Sequence, residues 1–337
     1  MKDAWRITQA LYTTKQSSTL NICLGNVSGD MDSVIGSLLM GYYYTNKEGF
    51  YAEEEKEELD VTALDDTRLS KFFVPVINMN NSELEARSDI IYHLEQTGVI
   101  RDEIVSIDML DLQHFVSEGK LGVNLIDHNY PDCNQEFLIP FVELIIDHHH
   151  DQKQDYPKLK FQDIRFCGAA VTLITKIMFE DEELRDKILD DKVAWLCSAA
   201  ILIDTVNFKE KMRGEKWDQV DEDTYKYVKD MGGATIPDDY FKQLYYKKTD
   251  EETNIKLGWY LLARKDYKNY RIKGDVKIGI STVFIDIRAC EKNFGAEAMK
   301  AEFDKIIEER ELDIYMALTH YNDGEVRRQI VSYSKNK

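Results

Sequence analysis

Leu20-Asn21-Ile22-Cys23-Leu24-Gly25-Asn26-Val27-Ser28-Gly29-Asp30-Met31-Asp32-Ser33, running on into Val34–Tyr44, is the stretch that decides the fold. Leu20–Leu24 is a short apolar run and predicts a buried strand, while Val34–Tyr44 reads as a helix. The loop between them holds two glycines and two aspartates. The same alternation recurs downstream. Phe73–Ile77 is a second strand candidate, and Ser82–Gly98 has helical periodicity and stops at a glycine, as helix C-termini commonly do. Ile104–Ile107, Val123–Ile126 and Leu144–Ile146 are further apolar runs, each halted by polar residues. Runs rich in Ile, Leu and Val suit strands buried on both faces, and strands alternating with helices predict a parallel α/β sheet.

Farther along, Ala169–Met178 and Val193–Ile203 read as buried helices, and the charged segment Lys209–Asp230 as a surface helix linking two units. Gly232-Gly233 and Pro237 punctuate the chain there. Val276–Ile285 is strand-like, Asn293–Arg310 helical, and Ile314–Thr319 with Arg327–Tyr333 forms an antiparallel pair turned at Asn322-Asp323-Gly324. The expectation is two α/β domains. A parallel-sheet domain covers 1–208, a linker 209–236, and a smaller mixed-sheet domain 237–337, with the active site in the cleft between them. The acidic run Glu53–Glu58 reads as a solvated helix or mobile loop.

The 337 residues carry 62 Asp+Glu against 43 Lys+Arg, a formal net charge of -19. Such acidity argues against a general nucleic-acid or anionic-membrane binder, yet leaves room for an anionic substrate held by a local basic patch or a metal. Five scattered cysteines, odd in number and never spaced C-x-x-C, fit a reducing compartment and not a disulfide scaffold. The first sixteen residues lack the apolar core of a secretory signal, so a cytoplasmic protein is expected.

Four acidic clusters each follow a buried run. They are Gly25–Ser33 with Asp30 and Asp32, Asp127-His128-Asn129, Asp147-His148-His149-His150, and Asp204. Ligands of open α/β sheets gather at the carboxyl ends of the strands, so all four can meet at one edge. Carboxylates and imidazoles are the groups that hold Mn²⁺, Mg²⁺ or Co²⁺. Without a metal, so many acids in one place repel one another or take up protons. Singly, each has a plain structural explanation: Asp30 or Asp32 could cap the helix near Ser33, and Asp204 could be a satisfied interior carboxylate. Together they favour a metal site. Four of the seven histidines fall between 128 and 150. His150 reads as a bystander, and His93, His114 and His320, with no acidic motif, as structural or surface groups.

In order, D-x-D-S, D-H-N, D-H-H and an isolated Asp after a buried helix resemble the DHH phosphoesterase superfamily, in its branch of inorganic pyrophosphatases, exopolyphosphatases and prune proteins. The resemblance runs through nearly the whole chain. It implies metals on Asp30, Asp32, Asp127, His148 and Asp204, two in number, with Asp127 between them. It implies His149 facing the substrate phosphate, Lys209 as a phosphate-binding lysine, and Arg327 or Arg328 as a terminal phosphate clamp. Family II pyrophosphatases resemble G-H-x-x-P-D-x-D-S in the first motif; here Asn26 stands where they carry a His ligand. That departure, with Val74–Asn78 and Arg87, points to the exopolyphosphatase side, closest to fungal-type cytosolic enzymes.

Residues 242–277 contain ten Lys/Arg and five Asp/Glu, a basic island in an acidic chain. It reads equally as a solubilising surface or as a wall that guides a polyanion. The expected activity is metal-dependent release of terminal phosphate from inorganic polyphosphate by a metal-bridged hydroxide. A pyrophosphatase, a prune-like phosphodiesterase and a non-enzymatic prune-like regulator are the alternatives. A Rossmann dehydrogenase fails, because Gly25–Ser33 lacks G-x-G-x-x-G.

Overall fold

The computed structural model describes residues 6–9, 18–51, 64–232, 236–322 and 325–335. The Glu53–Glu58 run, Gly233 and the Asp323-Gly324 turn lie outside them.

Six strands form an all-parallel sheet: β1 (Leu20–Leu24), β2 (Phe73–Ile77), β3 (Val105–Ser106), β4 (Leu121–Ile126), β5 (Val142–Asp147) and β6 (Phe161–Ile164), in the order β3-β2-β1-β4-β5-β6. Alternate residues face two separate cores. Cys23, Ile77, Ile126 and Ile146 enter one; Ile22, Leu24, Val76 and Leu125 enter the other. This two-sided burial is why the strands read as mainly apolar runs. The chain winds outward from β1 through β2 to β3, then restarts at β4 and winds the other way. The reversal between β1 and β4 is a topological switch point, where a crevice opens beyond the strand ends. The loop carrying Asp30 and Asp32 leaves β1 there, and Asp127 follows β4.

Helix α1 (Met31–Lys47) starts three residues before the expected Val34, because Asp30 caps it by accepting from the Ser33 amide at 3.1 Å. Gly36 brings it close: a Cβ there would lie 2.7 Å from Ile126 Cγ2. The single helix expected over Ser82–Gly98 is two pieces, a 3₁₀ segment Asn81–Ala86 and helix α2 (Ser88–Thr97), broken at Arg87. Arg87 has φ -96° and ψ 60°, which turns its buried guanidinium onto the Ser28 carbonyl. Helices α3 (Ala170–Glu180) and α4 (Asp191–Asp204) pack beside α1.

Helices α5 (Gln219–Gly232) and α6 (Tyr240–Thr249) also pack on this first unit, and Val228, Ile236, Tyr240 and Leu244 join its core. The stretch 209–236, expected as a linker, therefore includes packed structure. A third core begins at Trp259, on helix α7 (Gly258–Arg264). It underlies a four-stranded sheet of β7 (Tyr267–Ile272), β8 (Val276–Val283), β9 (Ile314–Asn322) and β10 (Val326–Tyr333), ordered β10-β9-β8-β7. The β8/β9 pair is parallel and the outer pairs antiparallel, so the sheet is mixed, as expected. Buried Glu83 fastens this unit to the first: Arg264 donates to it twice at 3.1 Å, and Arg310 once at 3.1 Å.

Candidate metal centre

Asp127 lies at the middle of the crevice. It is buried, and its φ of +62° is a left-handed conformation uncommon outside glycine. Its amide donates to the Ile146 carbonyl at 2.9 Å, which fixes the turn after β4. Oδ2 accepts from Asn26 Nδ2 at 2.8 Å and Ser33 Oγ at 2.7 Å. Oδ1 is buried and receives no hydrogen bond, and it faces His148 Nε2 at 3.2 Å. His148 Nδ1 donates to the Cys167 carbonyl at 2.9 Å, so Nε2 is the free lone pair. The same Nε2 is 3.6 Å from Asp32 Oδ2. Asp32 is buried too, and accepts the Ala170 and Val171 amides at 2.6 and 2.8 Å.

Opposed lone pairs at these distances need a cation between them, either a proton or a metal. The titration behaviour says the same. Burial, then the Asp30 charge, pushes Asp127 up to about 7. Burial, then Asp32 and Asp30, pushes Asp204 up to about 8. Burial opposes charge on His148, but Asp127 and Asp32 outweigh it and raise the imidazole to about 11. Burial and then Asp127 hold Asp32 well above the carboxylate range. Asp30 goes the other way: burial is outweighed by Arg87 and by donation from Ser28 and Ser33. The cluster thus favours positive charge at its centre, and the donor set of carboxylate oxygens and one imidazole nitrogen fits Mn²⁺, Mg²⁺ or Co²⁺. Asp127, His148 and His149 each offer a ligand atom within 4.8 Å of one another.

His149 is half exposed, and its Nδ1 donates to Asp147 Oδ1 at 2.8 Å. Asp147 is fully buried and also takes the His148 and His149 amides and Asn129 Nδ2. Burial works against its charge, but these partners, His149 first, lower it to about 2. Asp204 ends α4, and the chain leaves it through three consecutive left-handed residues, Val206, Asn207 and Phe208, at φ of +53° to +55°.

The crevice has two arms that share Asp127, His149 and Lys268. One, of about 370 Å³, contains Asp30, Asp32, His148 and Asp204, with Arg87, Lys216, Lys248 and Lys265 as cations. The other, of about 510 Å³, runs past Asn26, Tyr130 and Arg271; His128 and His150 line it away from the ligand cluster.

The first unit thus brings Asp30, Asp32, Asp127, His148, His149 and Asp204 to one crevice. Asn26 is beside them, but its Oδ1 accepts from Ser28 and its Nδ2 serves Asp127. The phosphate ligands expected of Lys209 and of Arg327 or Arg328 are not there. Lys209 is exposed and lines neither arm. Arg327 and Arg328 are both exposed on β10, the sheet edge opposite β7, and β7 is the strand that borders the crevice. Of the basic island, Lys248, Lys265, Lys268 and Arg271 line the crevice, whereas Arg264 is buried against Glu83. Lys216 was missed because it sits among the alternating charges of a stretch that reads as a surface linker, outside the basic island.

Residues 256–337 match the DHHA2 domain. The chain is 26% identical over 280 residues to Exopolyphosphatase PRUNE1 of Homo sapiens, covering 82% of this chain and 54% of that protein. It is 25% identical to a Schizosaccharomyces pombe protein assigned as an exopolyphosphatase, covering 77% and 62%. These matches support a likeness to the exopolyphosphatase and prune branch of the DHH phosphoesterase superfamily. It spans little more than half the length of these curated relatives. A Methanococcus jannaschii protein assigned to the family II inorganic pyrophosphatases shares this fold, with a TM-score of 0.61 and 19% identity over 93% of this chain and 88% of that one. No helix among the described residues is long and apolar enough to cross a membrane.

Proposed function

We propose that the chain is a divalent-metal-dependent phosphoanhydride hydrolase that removes terminal phosphate from inorganic polyphosphate. The observation that carries this reading is the buried, undonated Oδ1 of Asp127 facing His148 Nε2 beside Asp32, at the rim of an arm lined by cationic side chains. Asp30, Asp32, Asp127, His148 and Asp204 would hold the cations, two of them by the number of carboxylates, with Mn²⁺, Mg²⁺ and Co²⁺ as candidates. When bound, such cations lower the pKa of a coordinated water and neutralise phosphate oxygens.

The chain's own residues supply the rest. His149, with Nδ1 committed to Asp147, turns Nε2 toward a phosphate oxygen and carries a proton to the leaving group. Lys268 lies where the two arms meet, and Arg87 beside Asp30, so both stabilise charge that develops on phosphate. Lys216 and Lys248 extend the cationic lining and favour a substrate with several phosphates. Lys209, Arg327 and Arg328 keep a role only in a conformation that carries them to the crevice. Asn26 supports the exopolyphosphatase reading over pyrophosphatase, because its amide nitrogen, a donor and not a metal ligand, points at Asp127. We place this activity in the cytoplasm and propose no nucleic-acid partner, in keeping with the net charge of -19.

The test is orthophosphate release from long polyphosphate, tripolyphosphate and pyrophosphate, each with Mg²⁺, Mn²⁺ and Co²⁺. Preference for the longer chains is expected. Hydrolysis of pyrophosphate alone would move the assignment to pyrophosphatase.

A further inference from the structure

Asp221 lies in none of the acidic motifs. It belongs to the charged stretch that reads as a surface linker, yet it is fully buried at the first turn of α5. Its carboxylate grips the segment that leads into α3. Oδ2 accepts the Gly168 amide at 2.8 Å and the Asp218 amide at 2.9 Å, and Oδ1 accepts the Thr172 hydroxyl at 2.6 Å. Between those two anchors, the Ala170 and Val171 amides donate to Asp32 at 2.6 and 2.8 Å. The residue just before them, Cys167, accepts His148 Nδ1 on its carbonyl at 2.9 Å. One six-residue segment therefore orients two of the proposed ligands, and Asp221 holds it at both ends. Gly168 permits the close approach. A Cβ there would lie 2.7 Å from Thr205 Cγ2, 2.8 Å from the Lys216 carbonyl and 3.3 Å from Asp221 Cγ. Thr205 follows Asp204, so the same junction abuts the support of a third ligand.

We infer that Asp221 is a positioning residue for the metal centre, setting the spacing of Asp32 and His148 through the Cys167–Thr172 segment. This rests on the metal reading of the crevice. Partners that orient ligands typically change metal affinity by about 10–100-fold when removed. Asp221 touches neither metal nor phosphate in this account, so its loss acts on affinity first and on turnover at saturating metal much less.

The test is Mn²⁺ binding to the metal-stripped full chain, by calorimetry and by loss of the free-ion electron paramagnetic resonance signal. Asp127→Ala identifies which part of the isotherm belongs to the centre. Asp221→Asn keeps the shape but loses one acceptor oxygen, and is expected to weaken that component about tenfold or more. Thr172→Val removes a single donor and is expected to weaken it in the same direction by less than Asp221→Asn does, as a partial version of the same change. Asp221→Asn that folds and binds Mn²⁺ within twofold of wild type would overturn the inference. If Asp221→Asn does not fold, Thr172→Val decides in the same way: weaker binding supports the role and unchanged affinity removes it. Wild type with no Asp127-dependent Mn²⁺ binding would instead sink the metal reading, and this inference with it.

Discussion

At Asp127, one carboxylate has an oxygen satisfied by Asn26 and Ser33 and the other left facing an imidazole nitrogen. Burial raises Asp127 to about 7 and Asp204 to about 8, and the surrounding carboxylates raise His148 to about 11. A group whose pKa is raised on folding stabilises the fold fully below its unfolded value and loses that contribution as pH climbs through the folded value. For the two carboxylates that window runs from about 4 to about 8, and for His148 it begins near 6.5. The melting temperature of metal-stripped protein should therefore fall between pH 5 and pH 9. Mn²⁺ should raise it, by more at pH 8.5 than at pH 5.5, because metal replaces protons. Asp127→Asn should flatten the slope; a melting temperature that rises with pH in the stripped protein would contradict this picture. Asp127→Ala and Asp204→Ala should each abolish hydrolysis, and near-normal turnover of either folded variant at saturating metal would sink the proposed centre. The acidic clusters that meet at the crevice were legible in sequence because each follows an apolar run. Asp221 differs: a carboxylate that binds backbone amides leaves no residue pattern of its own.

Among the elements, most strands of the first sheet were legible for a physical reason, since burial on both faces makes the runs mainly apolar, with Asn21, Asn124 and Glu143 as polar exceptions. β6 was not, because as an edge strand it reads Phe-Gln-Asp-Ile, with half of it exposed. The split of the expected Ser82–Gly98 helix was also hidden. Nothing local disfavours helix at Arg87; the break comes from its tertiary bond to Ser28. Helix α1 carries Asp30 and Asp32 past Asp127, and Gly36 is where it meets β4 and α3. Gly36→Ala would put a methyl 2.7 Å from Ile126 and 3.2 Å from Ile174. The added group should cost about 1–3 kcal/mol of stability. Because the strain separates α1 from β4, it should also weaken Mn²⁺ binding. Urea unfolding and metal titration check both effects, and an unchanged midpoint with unchanged affinity would mean that α1 shifts freely.

Over the whole molecule, the arrangement of the two units was only partly legible. The mixed second sheet was expected, yet α5 and α6 pack with the first core, because Ile236, Tyr240 and Leu244 are apolar residues spaced among charges. The units are fastened by Glu83 with Arg264 and Arg310. Removing one member of a buried ion pair strands the others, so Glu83→Ala should cost about 3–5 kcal/mol in urea unfolding. A loss below 1 kcal/mol would mean that the clasp is not a stabilising contact. The arm sets Arg87, Lys216, Lys248, Lys265 and Lys268 among its carboxylates, in a chain of net charge -19. Lys216→Glu with Lys248→Glu should lower kcat/KM more on long polyphosphate than on tripolyphosphate. Screening over about 8 Å at physiological salt should make the difference shrink as salt is added. Equal losses at every length would remove the arm as a chain-binding surface.

The central claim is that a divalent-metal centre at Asp127 cleaves phosphoanhydride bonds at a chain end. It is tested most directly by following the products of long-chain polyphosphate, with metal-stripped protein and after Mn²⁺ is restored. No hydrolysis is expected in the stripped protein, and orthophosphate should be released on reconstitution while long chains persist and shorten gradually. Undiminished hydrolysis in the stripped protein, or early accumulation of mid-length fragments, would contradict it.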